Sequence, residues 1–109
     1  MKIENIFKPL ITPTTDEVFE KLLSTSHLTV ERIVSTGQAT PADEWYDQEQ
    51  DEWIILLSGS AGLLFETENI VQVLHPGDYV HIPAHQRHRV EWTDLSQPTV
   101  WLAVHYQHE

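Results

Sequence analysis

The sequence predicts an all-β fold, a small antiparallel β-sandwich or barrel, from three observations. Short runs of apolar and β-branched residues recur along the second half of the chain. Turn signals containing Gly, Pro, Asn or Asp separate these runs about every ten residues, which is typical of sandwiches and barrels. The 109 residues, 40% of them hydrophobic, suffice for one domain with one core, and no linker or repeat divides them.

The N-terminal part is predicted to add a strand and a helix to this barrel. Within one domain, residues 1–27 are expected to pack on a barrel formed by residues 28–109. A short opening strand is expected before Pro9. Thr14 stands at the N-cap of a possible capping box. The apolar residues that follow recur at helical spacing, so a short N-terminal helix is predicted over residues 15–24.

Seven strand candidates follow this predicted helix. Residues 27–35 alternate with the period of two that a strand requires. The six further candidates, each closed by a turn, are 53–57, 62–65, 70–74, 79–82, 89–92 and 99–106.

Two of these strands, 53–57 and 100–104, carry apolar residues on both faces. A sheet face left in water would alternate apolar and polar residues. Their outer faces therefore need a cover, and the N-terminal helix can supply only part of it. A homodimer is predicted.

The charge distribution limits the classes of partner. The net charge is -11, and no Lys or Arg occurs between Arg32 and Arg87, an interval that holds nine carboxylates. Such a field attracts cations and repels phosphate backbones, so nucleic acid is not an expected partner. Cysteine is absent, which excludes disulfides and thiolate sites. No signal peptide and no apolar run near the roughly 20 residues of a membrane span are evident, so a soluble cytoplasmic protein without membrane contact is expected.

The segment between Gly77 and His88 carries the clearest functional signal. His85 and His88 follow a Gly-Asp turn, a short strand and a proline, and are a plausible pair of metal ligands. An acidic cluster upstream can supply oxygen ligands; its members are Asp43, Glu44, Asp47, Glu49, Asp51 and Glu52.

This order of acidic loop, strand, glycine turn, further strands and Gly-Asp turn resembles the two sequence motifs of the cupin superfamily, over roughly residues 28–106. In the first motif, Glu52 stands seven residues before Gly59, where the family has its glutamate ligand. Trp45 and Asp47 occupy the positions of the family's histidine pair. The first motif is therefore degenerate.

The second motif is better preserved. Gly77, Pro83 and His88 match it, while His85 replaces its second glycine and Trp92 replaces its asparagine. The resemblance thus implies a cupin-type, jelly-roll-like barrel.

The resemblance also implies a site in the barrel mouth that holds one divalent metal ion. The implied ligands are Asp47, Glu52 and His88, with His85 as a fourth. Oxygen and imidazole donors of this kind suit Zn, Mn or Fe(II). The implied contacts to substrate are Tyr46, Gln50 and Trp92. His105 has no motif support, although its place in the last strand would allow it to line the interior.

Two functions remain open from the sequence. The first is a metal-dependent enzyme that acts on a small polar metabolite by oxygenation, isomerisation or a lyase step. The second is a non-catalytic module that binds a small ligand in the barrel mouth, which the missing histidine pair favours. One fold hosts many chemistries, so the sequence does not choose among these reactions.

Overall fold

The computed structural model describes residues 1–9 and 15–108, and within them the chain forms eight β-strands and no helix. The strands are β1 (Val18–Ser24), β2 (Leu28–Ser35), β3 (Asp51–Ser58), β4 (Ala61–Phe65), β5 (Val71–Leu74), β6 (Tyr79–Ile82), β7 (His88–Thr93) and β8 (Thr99–Tyr106). The prediction of an all-β fold is confirmed.

The strands form two antiparallel sheets that enclose one core. The larger sheet has five strands in the order β1-β2-β8-β3-β6, and the smaller has three in the order β5-β4-β7. Buried side chains from both sheets meet in one cluster, with Leu56 and Trp101 from the larger sheet and Leu63 and Phe65 from the smaller. The core therefore lies between the sheets, as in a β-sandwich.

The predicted N-terminal helix is absent, and this part of the prediction is wrong. Residues 18–24 instead form β1, which pairs with β2 from Val18↔Val34 to Ser24↔Thr29. A helix of about ten residues is marginal in water, whereas the edge of β2 offers partners for the backbone. Tertiary pairing therefore overrides the helical spacing of the apolar residues. The proposed N-cap, Thr14, lies outside the described residues.

The first nine residues form no strand, but they contact the larger sheet. The guanidinium of Arg32, which is buried, donates hydrogen bonds to the carbonyl oxygens of Ile6 (2.8 Å) and Lys8 (2.5 Å). This contact satisfies a buried charge on the outer side of β2.

The tight turn between β3 and β4 depends on a glycine. Gly59 has φ +85°, and a Cβ there would lie 2.7 Å from Thr99 Cα and 2.9 Å from the carbonyl oxygen of Pro98. Gly77 has a similar φ of +95°, but a Cβ there would meet open space.

These two glycines allow a matched test of the close approach at the β3–β4 turn. We expect Gly77→Ala to cost about 1 kcal/mol of unfolding free energy, since only the backbone conformation is strained. Gly59→Ala should cost about 3 kcal/mol or more, because the new methyl group also meets backbone atoms that cannot move aside. Urea denaturation of both variants measures the difference. Equal losses would contradict the close approach.

Candidate functional site

A cavity of about 530 Å³ opens between the two sheets. Its volume lies in the range of small-molecule sites. Its inner wall is apolar and includes Ile54, Leu63, Ile82 and Trp101. Its polar residues come from β1, β2, β3, β7, β8 and the segments before β1 and β3.

Strand register directs two of these polar side chains inward. On β3, Ile54 and Leu56 are buried in the core, and Glu52 shares their face because side chains on one face recur every second residue. On β8 the same alternation places His105 on the face of Trp101 and Ala103, which are buried. Glu52 and His105 are cross-strand partners, so both line the cavity.

A third side chain, His88, reaches the cavity from the start of β7. Its backbone exchanges hydrogen bonds with that of Tyr46, and its ring lies 5.6 Å from the ring of Tyr46 and 6.2 Å from that of Phe65. His88 Nδ1 lies 2.9 Å from the carbonyl oxygen of Gln86, which can only accept a hydrogen bond. Nδ1 therefore carries a proton, and in the neutral ring Nε2 presents its lone pair.

Glu52 lies between the two imidazole rings. Its Oε1 is 3.6 Å from His88 Nε2, and its Oε2 is 3.6 Å from His105 Nε2. His105 Nε2 is also 3.8 Å from Glu31 Oε1. These separations exceed hydrogen-bond length.

The burial of Glu52 makes this arrangement chemically significant. Its side chain is only 7% exposed, and no described residue donates a hydrogen bond to its carboxylate. A buried carboxylate without such a partner is costly unless a cation or a donor satisfies it. A protonated imidazole or a bound ligand can fill this role.

Tyr46 stands at the border of the cavity, where its phenol meets an acidic environment. Partial burial raises the pKa of Tyr46, and the negative charges of Glu17, Glu52 and Glu44 raise it further, while a hydrogen bond with Thr40 acts in the opposite direction. The phenol therefore stays protonated at neutral pH and can donate a hydrogen bond.

Asp47 and His85, two of the four predicted metal ligands, contact each other outside the cavity lining. Asp47 Oδ1 lies 2.8 Å from His85 Nδ1, and both side chains are about half exposed or more. His85 has φ +64°, the left-handed conformation of the glycine that it replaces in the second motif. The predicted set is therefore divided, with Glu52 and His88 together in the cavity and Asp47 and His85 paired at the surface.

The segment before β3 also differs from the expected orientation. Trp45 packs beside the guanidinium groups of Arg87 and Arg89, whose central carbons lie 5.7 and 4.8 Å from its ring centroid. The cavity is lined instead by Tyr46 and Gln48. Neither of these two side chains is a usual metal ligand.

Of the three predicted substrate contacts, the structure places two at the cavity. Tyr46 and Gln50 line it. Trp92 does not, because its indole packs directly over Gly62 on the neighbouring strand, on the outer side of the smaller sheet. A Cβ at Gly62 would lie 2.8 Å from Trp92 Cδ1.

The polar lining residues that sequence reasoning did not place in the site include Glu17, Lys21, Glu31 and Gln48, and His105 was left without a role. Alternation along β8 from the apolar Trp101 and Ala103 was the available signal for His105. For Gln48 no comparable signal exists, because the irregular segment before β3 has no fixed period.

The donor set meets the requirements of a metal ion only in part. Two imidazoles and one carboxylate are suitable donors for Zn, Mn or Fe(II). Across residues 1–9 and 15–108, however, no group of three or more His, Asp or Glu side chains is arranged so that it could hold an ion. The residues as placed do not form a metal centre.

Comparison with known proteins agrees with this architecture. Residues 31–105 match the family described as Cupin domain. A crystal structure from Ralstonia eutropha JMP134, named as a "putative mannose-6-phosphate isomerase", superposes with a TM-score of 0.94 at 50% sequence identity, over 98% of this chain and 99% of that one.

More distant structures share the fold alone. A cupin superfamily protein from Desulfitobacterium hafniense DCB-2 gives a TM-score of 0.74 at 15% identity, over 91% of this chain and 84% of that one. The polyketide cyclase RemF from Streptomyces resistomycificus gives 0.72 at 21% identity, over 86% and 67%. Comparison with curated protein sequences gives no match. Within the part of the chain that the structure describes, no helix is long and apolar enough to cross a bilayer.

Proposed function

Since this chain belongs to the cupin family, we propose that its barrel cavity binds a small polar metabolite and transfers a proton on it. The observation that carries the proposal is the buried Glu52 carboxylate, with an imidazole Nε2 atom 3.6 Å from each of its oxygens. A base and two potential acids at one buried point are the requirements of general acid–base catalysis.

The roles of the groups follow from their positions. The Glu52 carboxylate takes the proton from a carbon next to a carbonyl group of the ligand. The electron pair of that C–H bond forms the C=C bond of an enol, while the carbonyl oxygen takes a proton from Nε2 of a protonated imidazole. Return of the proton from Glu52 to the former carbonyl carbon completes an aldose–ketose isomerisation, because the hydroxyl group on the first carbon gives its proton to the now neutral imidazole and becomes the new carbonyl group.

Two features of the cavity favour this reaction. The Gln86 carbonyl holds the His88 ring through Nδ1, which keeps Nε2 directed at Glu52. The apolar inner wall limits the access of water to the reacting atoms beside Glu52. The name of the Ralstonia protein supports this reaction class, since aldose–ketose isomerisation moves a proton next to a carbonyl.

Deuterium exchange tests the proposed reaction. Aldoses, ketoses and their 2-amino analogues are incubated with the protein in D₂O, and NMR detects deuterium at the carbon next to the carbonyl. We expect exchange with at least one compound and a fall of about 10²-fold or more in Glu52→Gln, since the base is removed. Glu44→Gln, in an exposed loop outside the cavity, is the control. Binding without exchange would leave the non-catalytic binding module as the function.

A metal-dependent enzyme is the second candidate, and one observation favours it. The hydrogen bond from His88 Nδ1 to a backbone carbonyl is the contact that metal-bound histidines usually make. Glu52, His88 and His105 would then hold the ion after a small rearrangement, and a Zn, Mn or Fe ion would supply Lewis acid chemistry.

Metal analysis separates the two candidates. Because the described donors form no ready metal centre, we expect protein purified without chelator to contain far less than one ion per chain, and exchange activity to survive treatment with EDTA. One ion per chain that is lost in His88→Ala would contradict the metal-independent reaction and establish the second candidate.

We also propose that two copies pair through the outer face of the larger sheet. The cross-strand pairs Trp53↔Val104 and Ile55↔Leu102 lie on this face and are only partly covered within one chain. Tyr79, 66% exposed, packs its ring 5.5 Å from that of Trp53 and extends the apolar surface.

Sedimentation equilibrium tests the dimer. The wild-type protein should show twice its chain mass of 12.6 kDa. Ile55→Lys should shift the protein to the single-chain mass, because a charge would be buried at the centre of the interface. Thr67→Lys, at an exposed turn, is the control. A wild-type protein at 12.6 kDa across micromolar concentrations would contradict the proposal.

A further inference from the structure

The polar half of the cavity has a strong excess of negative charge. Among the described residues that line it, Glu17, Glu31, Glu49 and Glu52 are acidic, and the single lysine is Lys21. Lys21 stands opposite Glu31 across β1 and β2, so its charge is placed beside one of these carboxylates. Glu52 has the imidazoles of His88 and His105 beside it, whereas Glu17, which accepts a hydrogen bond from Ser35, and Glu49 form no ion pair with a described residue.

The other basic residues do not correct this imbalance, because most of them are bound elsewhere. Arg87 pairs with Glu66 and Arg89 with Glu91, each at 2.8 Å. Lys8 and Arg32 both contact Glu20, at 3.1 and 3.8 Å. Four of the six Lys and Arg residues of the chain are thus paired with carboxylates that do not line the cavity.

A second observation indicates that the cavity holds a ligand. The Glu52 side chain is more than nine-tenths buried, faces the cavity and receives no hydrogen bond from a described residue. Solvent can reach the carboxylates nearer the opening, Glu49 in particular, which is exposed. A ligand that fills the cavity therefore lies beside Glu52, while the acidic opening acts on the charge of the ligand.

We propose that the ligand is an amine, with a positively charged group held among Glu17, Glu31 and Glu49 and a less polar body against the inner wall. An ammonium group supplies three hydrogen-bond donors, which match carboxylate acceptors. The inner wall, with Leu63 and Trp101, matches the body. This inference rests on the proposed function, since it names the substrate class of the same cavity.

The same charges disfavour anionic ligands. A phosphate or carboxylate group at the opening would meet like charges, and this repulsion is strong where water is partly excluded. The phosphorylated sugar in the name of the Ralstonia protein is therefore a poor match to the cavity of this chain.

Three compounds of one shape test the inference: 2-phenylethylamine, 2-phenylethanol and phenylacetate carry positive, neutral and negative end groups. NMR titration of the His88 and His105 ring protons at low salt measures binding in the cavity. We expect the amine to bind at least tenfold more tightly than phenylacetate, with the alcohol between them. The preference should weaken in high salt, because surface charges are screened.

Matched variants assign the preference to the cavity opening. In the double variant Glu31→Gln, Glu49→Gln the ratio of amine to phenylacetate affinity should fall several-fold. The double variant Glu4→Gln, Glu68→Gln removes the same number of charges from exposed positions outside the cavity lining, and should leave the ratio almost unchanged. An equal fall in both proteins would assign the preference to the net charge of the chain and overturn the inference.

The remaining outcomes are also decisive. Phenylacetate that binds as tightly as the amine overturns the inference, as does a lack of shifts at both histidines with all three compounds. Deuterium exchange is measured separately, so the proton-transfer proposal can hold when the preference for amines fails. Conversely, amine binding without deuterium exchange supports the ligand class and contradicts the proposed proton transfer.

Discussion

The antiparallel pairing of β3 with β8 is the constraint on which the site depends. Its register sets Glu52 opposite His105, on the face that also carries Trp101. A shift by one residue would place Glu52 and His105 on opposite faces of the sheet and expose the apolar core residues of one of the two strands. The burial of apolar side chains that fixes this register therefore also holds the Glu52 carboxylate and the His105 imidazole next to each other. Side chains on core strands are positioned more precisely than side chains on loops.

The smaller sheet supplies the third side chain of this cluster, His88. β7 begins with His88, and the segment before β3 is attached there through the two backbone hydrogen bonds between Tyr46 and His88. The same attachment directs Tyr46 and Gln48 into the cavity, and Trp45 toward Arg87 and Arg89. One short bridge thus determines which residues of the degenerate first motif can contact a ligand. It replaces potential metal donors with a phenol and an amide, and leaves Glu52 as the buried charge of the site.

Much of the fold could be predicted from the sequence, because alternation and turn residues are local signals. The strands after residue 27 follow them closely, and the matched second motif indicated the architecture. β1 could not be predicted in this way, since Val18, Phe19, Leu22 and Leu23 have helical spacing and only the free edge of β2 makes them a strand. The site was predictable where a regular strand carries it, as with Glu52 and His88. It was less predictable where backbone irregularity decides the orientation, as with Asp47, His85 at positive φ, and Trp92 over Gly62.

A crystal structure of the protein at neutral pH tests most directly whether Glu52, His88 and His105 lie together in the cavity. The Glu52 carboxylate should lie within about 4 Å of Nε2 of both His88 and His105, consistent with the separations of 3.6 Å, with Asp47 and His85 paired away from the cavity. Electron density that shows Glu52 directed away from His88, or Asp47 and His85 turned inward around a common atom, would contradict this account.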